Sequence, residues 1–133
     1  MKSNSVTKYR LLLIDDEEAC LTALEMSLFN TEYEVIKTSS GRDGIQYIID
    51  HPNTIDIILL DLMMPDLSGI EVIQELNKIG CKVPVIIQTA SYNYSDISKA
   101  LKFGAKNFLS KPFDKKLLLS VLSKTFNNED ILV

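Results

Sequence analysis

The chain has 133 residues, 46% of them hydrophobic and 24% charged, with a formal net charge of −4. That size suits one domain with a real core and is too small for two ordinary ones. No apolar stretch approaches the roughly 20 residues that span a bilayer, and no lysine- or arginine-rich run offers the basic face that nucleic-acid binding needs.

The first eight residues, MKSNSVTK, are polar and read as a flexible N-terminus. One lysine without an apolar core behind it does not make a signal peptide. Tyr9 to Ile14 form a mostly apolar run that ends in Asp15, Asp16, Glu17 and Glu18, a buried strand opening onto carboxylates. Glu18 to Phe29 then repeats Leu21, Leu24 and Leu28 at a helical period, with acids at its start where the helix dipole favours them. Acidic first turns are common, so these residues alone do not define a site.

Tyr33 to Thr38 reads as a second strand. Ser39, Ser40 and Gly41 turn the chain into a helix carrying Ile45, Ile48 and Ile49, closed by His51 and Pro52. His51 is the only histidine, and at a helix end it reads as a surface residue; a histidine-based triad has little support. Ile55 to Leu60 form a third strand, whose apolar run Ile57 to Leu60 reads as covered on both faces, and which delivers Asp61 to its C-terminal end. Ligands in open α/β sheets bind at such ends, although a lone aspartate there could equally cap a turn.

Ser68 and Gly69 lead into a helix with Val72, Ile73, Leu76 and Ile79 inward, stopped by Gly80. Val83 to Gln88 is the fourth strand, with Pro84 tolerable near its start, followed by Thr89, Ala90 and Ser91. Ile97, Ala100 and Leu101 mark a shorter helix that ends at Gly104. Asn107 to Ser110 is the fifth strand, ending at Lys111 and Pro112. Asp114 caps a last helix with Leu117, Leu118, Val121 and Leu122 inward, and residues 127–133 form a tail or the start of a linker. Cys20 and Cys81 lie far apart and read as reduced thiols of a cytoplasmic protein, a disulfide being the alternative.

Five strands alternating with five helices predict an α/β fold: a five-stranded parallel sheet with helices on both faces. In such a sheet all strand C-termini lie along one edge, so Asp15, Asp16, Asp61, Thr89 and Lys111 should meet there. Three carboxylates brought together repel one another and call for a cation. Oxygen ligands without cysteine or histidine suit Mg²⁺. With a lysine and a hydroxyl beside them, the group is equipped to receive a phosphoryl group on a carboxylate.

These pieces together resemble the receiver domain of two-component response regulators, over about Tyr9 to Thr125. The resemblance rests on the paired acids after the first strand, the D-x-x-M-P-x-x-x-G pattern from Asp61 to Gly69, Thr89-Ala90, Lys111-Pro112, and FGAKNFLSKPF from Phe103 to Phe113. It implies a (βα)5, flavodoxin-like doubly wound domain over residues 9–126. It further implies that Asp61 takes a phosphoryl group from a histidine kinase, a phosphotransfer protein or a small acyl phosphate. Asp16, Asp61 and the main-chain carbonyl of Met63 would hold Mg²⁺, with Asp15 acting directly or through water. Lys111 and Thr89 would contact the phosphoryl oxygens, and Phe108 stands at the position of a switch aromatic. Met63 and Ser91 stand where the family tunes the lifetime of the acyl phosphate. The Lys111–Pro112 bond is expected to be cis. Such a protein promotes only its own phosphorylation and dephosphorylation, and acts through a fused or separate output partner.

Three alternatives share parts of this pattern. A haloacid-dehalogenase-like phosphatase also uses an aspartate and Mg²⁺, but needs a second aspartate where this chain has Met63. A flavodoxin-like cofactor binder shares the sheet, but the first loop here is acidic and would repel a phosphate. A degenerate receiver would keep the fold without accepting phosphate.

Overall fold

The computed structural model describes residues 8–90 and 93–127. The flexible N-terminus expected for residues 1–8 therefore falls, except for Lys8, outside the described residues, as do Ser91 and all of the tail beyond Asn127.

The elements are β1 (Tyr9–Ile14), α1 (Glu18–Ser27), β2 (Tyr33–Thr38), α2 (Gly41–Asp50), β3 (Ile57–Asp61), α3 (Gly69–Lys78), β4 (Val85–Thr89), α4 (Tyr94–Lys102), β5 (Asn107–Ser110) and α5 (Lys115–Phe126). All strand pairs are parallel, in the order β2-β1-β3-β4-β5. The predicted α/β architecture is therefore the observed one. Parallel neighbours must be joined by crossovers, and each crossover here contains a helix.

Strand residues point alternately to the two faces, and the two cores follow that alternation. Leu12, Ile14, Ile58 and Leu60 pack with Val72, Ile73 and Leu76 of α3 and with Ile97 and Ala100 of α4. Leu11, Leu13, Ile57 and Leu59 pack on the opposite face with Leu21 and Leu24 of α1 and with Leu118, Val121 and Leu122 of α5. Residues 11–14 and 57–60 are fully buried, each such side chain being worth about 1.5–3 kcal/mol of transfer free energy. The rigidity of these central strands fixes where Asp15 and Asp61 emerge.

Several boundaries and faces differ from the sequence expectation. β3 begins at Ile57, because Asp56 uses its side chain (Oδ2 accepting from Arg10 N, 2.7 Å) where a ladder bond would lie. β4 begins at Val85; Pro84 has no N–H, though its carbonyl still accepts from Ile58 N at 2.9 Å. α1 ends at Ser27, since Leu28 caps it and Asn30 takes a left-handed conformation (φ 64°), leaving Phe29 exposed. Ile49, Ile79, Leu101 and Leu117, expected inward, are exposed instead. Leu117 lies one residue before the stripe Leu118–Val121–Leu122–Thr125, about 100° off it. Ile49 likewise follows Ile48, which packs against the core. Ile79 is the C-cap of α3, and Leu101 lies one residue before the end of α4.

The loop from Asp61 to Gly69 is pinned at both ends. Ser68 and Glu71 form a reciprocal cap on α3: Ser68 Oγ accepts from Glu71 N, and Glu71 Oε1 accepts from Ser68 N. Gly69 N donates to Leu62 O at 2.9 Å. A Cβ at Gly69 would lie 2.8 Å from both the Asp61 carbonyl oxygen and Leu62 Cα, so only glycine lets α3 start this close to the end of β3. Asp66 accepts from Gly41 N and Arg42 N, tying the same loop to the start of α2.

Candidate functional site: an acid cluster with a buried lysine

The predicted residues converge at the C-terminal edge of the sheet. Asp15 directly follows β1, Asp61 ends β3, Thr89 ends β4 and Lys111 follows β5. Register sets them side by side: Asp61 pairs with Gln88, Thr89 pairs with Ser110, and Lys111 N donates to Thr89 O at 2.8 Å. The Lys111–Pro112 bond is cis, as expected.

One carboxylate oxygen from each of Asp15, Asp16 and Asp61 lies within 4.8 Å of the others. Asp16 is exposed, whereas Asp15 and Asp61 are buried. The Lys111 ammonium stands among the acids, 2.9 Å from Asp15 Oδ2, 3.5 Å from Asp61 Oδ2 and 3.8 Å from Glu17 Oε1. It also donates to Cys20 Sγ at 3.6 Å, while that thiol donates to Glu17 Oε1 at 3.3 Å.

Asp15 is held at both oxygens. Oδ1 accepts from Glu17 N at 2.9 Å, and Oδ2 accepts from Lys111 Nζ and from Gln88 Nε2 at 3.1 Å. Asp61 Oδ1 accepts from Met63 N at 3.1 Å, which folds the chain back so that Met63 lies beside the cluster with its side chain exposed.

Burial raises the Asp61 carboxyl to about 6, and the Asp15 charge pushes the same way; the Met63 N–H and Lys111 only partly offset this. Burial disfavours the Lys111 ammonium, but the hydrogen bond to Asp15 and the charges of Asp61 and Asp15 outweigh it and raise its pKa. Burial and the bond to Glu17 raise the Cys20 thiol, so it stays protonated at neutral pH. The cluster thus holds more negative charge than its one lysine balances.

The donor set fits a hard divalent cation: carboxylate oxygens only, one of them solvent-exposed, with no histidine. Thr89 is fully buried at the end of β4, and Phe108 lies two residues earlier on β5, paired with Ile87 and 36% exposed. Sequence reasoning did not single out Glu17, Cys20 or Gln88. Gln88 left the clearest signal, a polar residue ending the apolar run Val85–Ile87.

The family described as "Response regulator receiver domain" matches residues 11–131. Among relatives, the "Uncharacterized transcriptional regulatory protein YrkP" of Bacillus subtilis (strain 168) is 34% identical over 110 residues, covering 83% of this chain and 46% of the relative. The "Cell cycle response regulator CtrA" of Brucella abortus (strain S19) is 36% identical over 113 residues, covering 84% and 47%. The crystal structure of a response regulator receiver domain protein from Clostridium thermocellum superposes with a TM-score of 0.84 at 31% identity, covering 90% of this chain and 95% of that one. The chain belongs to the receiver domains of response regulators, the phosphoacceptor modules of two-component systems. It spans about half the length of the curated relatives it matches. Among the described residues no helix is long and apolar enough to cross a membrane.

Proposed function

We propose that Asp61 is the phosphoacceptor of this receiver and that residues 9–126 form the working unit. The observation that carries this reading is the placement of Lys111, whose ammonium bridges Asp15 and Asp61 in a site with excess negative charge. An Asp61 oxygen attacks phosphorus, forming an O–P bond as the bond to the donor's histidine nitrogen or acyl oxygen breaks; the leaving group departs with that electron pair. Lys111 shifts from Asp61 toward the incoming phosphoryl oxygens. Asp16, Asp61 and the Met63 carbonyl would hold one Mg²⁺, with Asp15, whose oxygens already accept three donors, acting through water. The ion supplies positive charge that neutralises the carboxylates and the transferring group. A cytoplasmic histidine kinase or phosphotransfer protein is the natural donor, and an output partner, fused or separate, the reader. The protein turns over no substrate beyond its own phosphorylation and dephosphorylation.

The test is incubation with acetyl phosphate followed by mass spectrometry. One phosphoryl group mapped to Asp61, lost when a chelator is present, is the expected outcome. Labelling that is undiminished by the chelator, or that maps elsewhere, contradicts the assignment.

The switch follows from the same geometry. A phosphoryl group brings roughly −1.5 to −2 charges and strong acceptor oxygens, and Thr89 ends the strand next to Asp61. If Thr89 moves toward it, space opens against β5 and the Phe108 ring can turn inward, reshaping the face of α4, β5 and α5. The equilibrium shifts only as far as the phosphoryl group interacts better with the inward state. Thr89→Ala is expected to accept phosphate yet lose the amide NMR shifts around Phe108 that beryllofluoride induces in the parent. Parent-like shifts in that variant would refute the coupling.

A further inference from the structure

We propose that Gln88 is a positioning residue for phosphoryl transfer, its side-chain amide fixing Asp15 and through it the lysine shared with Asp61. The inference rests on the reading of Asp61 as phosphoacceptor. It starts from a cost. Gln88 is fully buried, on the sheet face shared with Ile86, and follows three apolar residues in its strand. Its Oε1 is buried and has no hydrogen-bond partner among the described residues. A buried carbonyl without a donor destabilises the fold, and an apolar side chain of similar length would avoid that. Packing therefore does not account for a glutamine here.

The other end of the amide does. Gln88 Nε2 donates to Asp15 Oδ2, the oxygen that also accepts from Lys111 Nζ. Asp15 Oδ1 is fixed by Glu17 N. The carboxylate is thus held by three donors, from the β1–α1 turn, from β4 and from the loop after β5. Lys111 reaches it on a long flexible stem, whereas Gln88 reaches it from an interior strand of the sheet, paired on both sides. Gln88 is the rigid donor on Oδ2, and it is the register partner of Asp61. By occupying part of Oδ2 it keeps Asp15 from claiming the ammonium alone. That leaves Lys111 within 3.5 Å of Asp61, where the phosphoryl oxygens arrive. Its place is one step outside the reacting atoms, where substitutions commonly cost tenfold or more in activity or metal affinity.

Gln88→Met separates positioning from packing, because it keeps the length and volume of the side chain and removes the donor. With acetyl phosphate at saturating Mg²⁺, the rate constant for phosphorylation should fall by about tenfold. The Mg²⁺ dissociation constant, read by calorimetry on the unphosphorylated protein, should rise several-fold. The thermal midpoint should change little, since the orphaned carbonyl and the donor on the buried Asp15 carboxylate are lost together and their effects oppose each other. Gln88→Leu, with the same three measurements, serves if the methionine variant does not fold. A parent-like rate and Mg²⁺ affinity overturn the proposal. If the parent itself takes no phosphate, the reading of Asp61 fails; the Mg²⁺ comparison then decides Gln88 alone, and an unchanged affinity overturns it.

Discussion

Asp61→Asn is expected to abolish acyl-phosphate labelling and, in chelator at neutral pH, to raise the melting temperature. The loss of labelling follows from removing the attacking carboxylate. The stability gain follows from its pKa, raised by burial to about 6 from an ordinary 3.8. A carboxyl whose folded pKa is raised binds its proton better in the folded state. Its favourable contribution is therefore complete below about pH 4 and is lost as pH rises through about 6. At pH 7 the ionised, buried Asp61 burdens the fold by an amount on the order of 2 kcal/mol. Asparagine keeps the shape without the charge, so the midpoint should rise by several degrees at pH 7. The two proteins should converge near pH 4. Saturating Mg²⁺ should narrow or reverse the gap, because only the parent offers the full ligand set and binding stabilises by mass action. A gap that persists unchanged at pH 4 would mean that the charge of Asp61 is not its origin.

Most of this site was legible in the sequence because a parallel sheet has few degrees of freedom. Once Tyr9–Ile14, Ile55–Leu60, Val83–Gln88 and Asn107–Ser110 are recognised as strands of one parallel sheet, the residues that follow them must share one edge. That is why Asp15, Asp61, Thr89 and Lys111 could be grouped before any coordinates. What the sequence hid was tertiary. Glu17 reads as part of an ordinary acidic helix start and Cys20 as a reduced thiol, and only the tertiary position of Lys111 brings both to its ammonium. Gln88 reads as the polar end of a strand. Its importance depends on which of two faces it takes, set by the register with β3. The exposed Leu101 and Leu117 were misplaced for a related reason. A 3.6-residue period marks an apolar face but not how much sheet remains to cover it.

Lys111→Met should produce the largest loss of stability, together with a large loss of function. The ammonium is the cation that Asp15 and Asp61 share, and Asp15 is fully buried. Removing one partner of a buried ion pair leaves the other charge uncompensated, at a cost of roughly 3–5 kcal/mol. Methionine keeps most of the stem's packing, so the loss reports charge rather than a cavity. A fall of the midpoint of roughly 10 °C at pH 7 is the expected scale. Without Lys111 the Asp61 carboxyl loses a charge that favours its ionised form, so it is harder to ionise in the folded state and protonating it relieves the strain. The deficit should therefore shrink as pH falls from 7 toward 4, and Mg²⁺ should recover part of it at pH 7 by supplying the missing positive charge. Function should not recover with it. The transferring phosphoryl group gathers negative charge on its oxygens, and losing one preorganised donor typically costs about a hundredfold or more in rate. Phosphorylation by acetyl phosphate should stay depressed by that order even where Mg²⁺ has restored the fold. Stopped-flow or mass-spectrometric time courses at a temperature where both proteins are folded make the comparison. A Lys111→Met protein labelled at the parent rate would remove lysine from the transfer step and leave it a structural counter-ion alone.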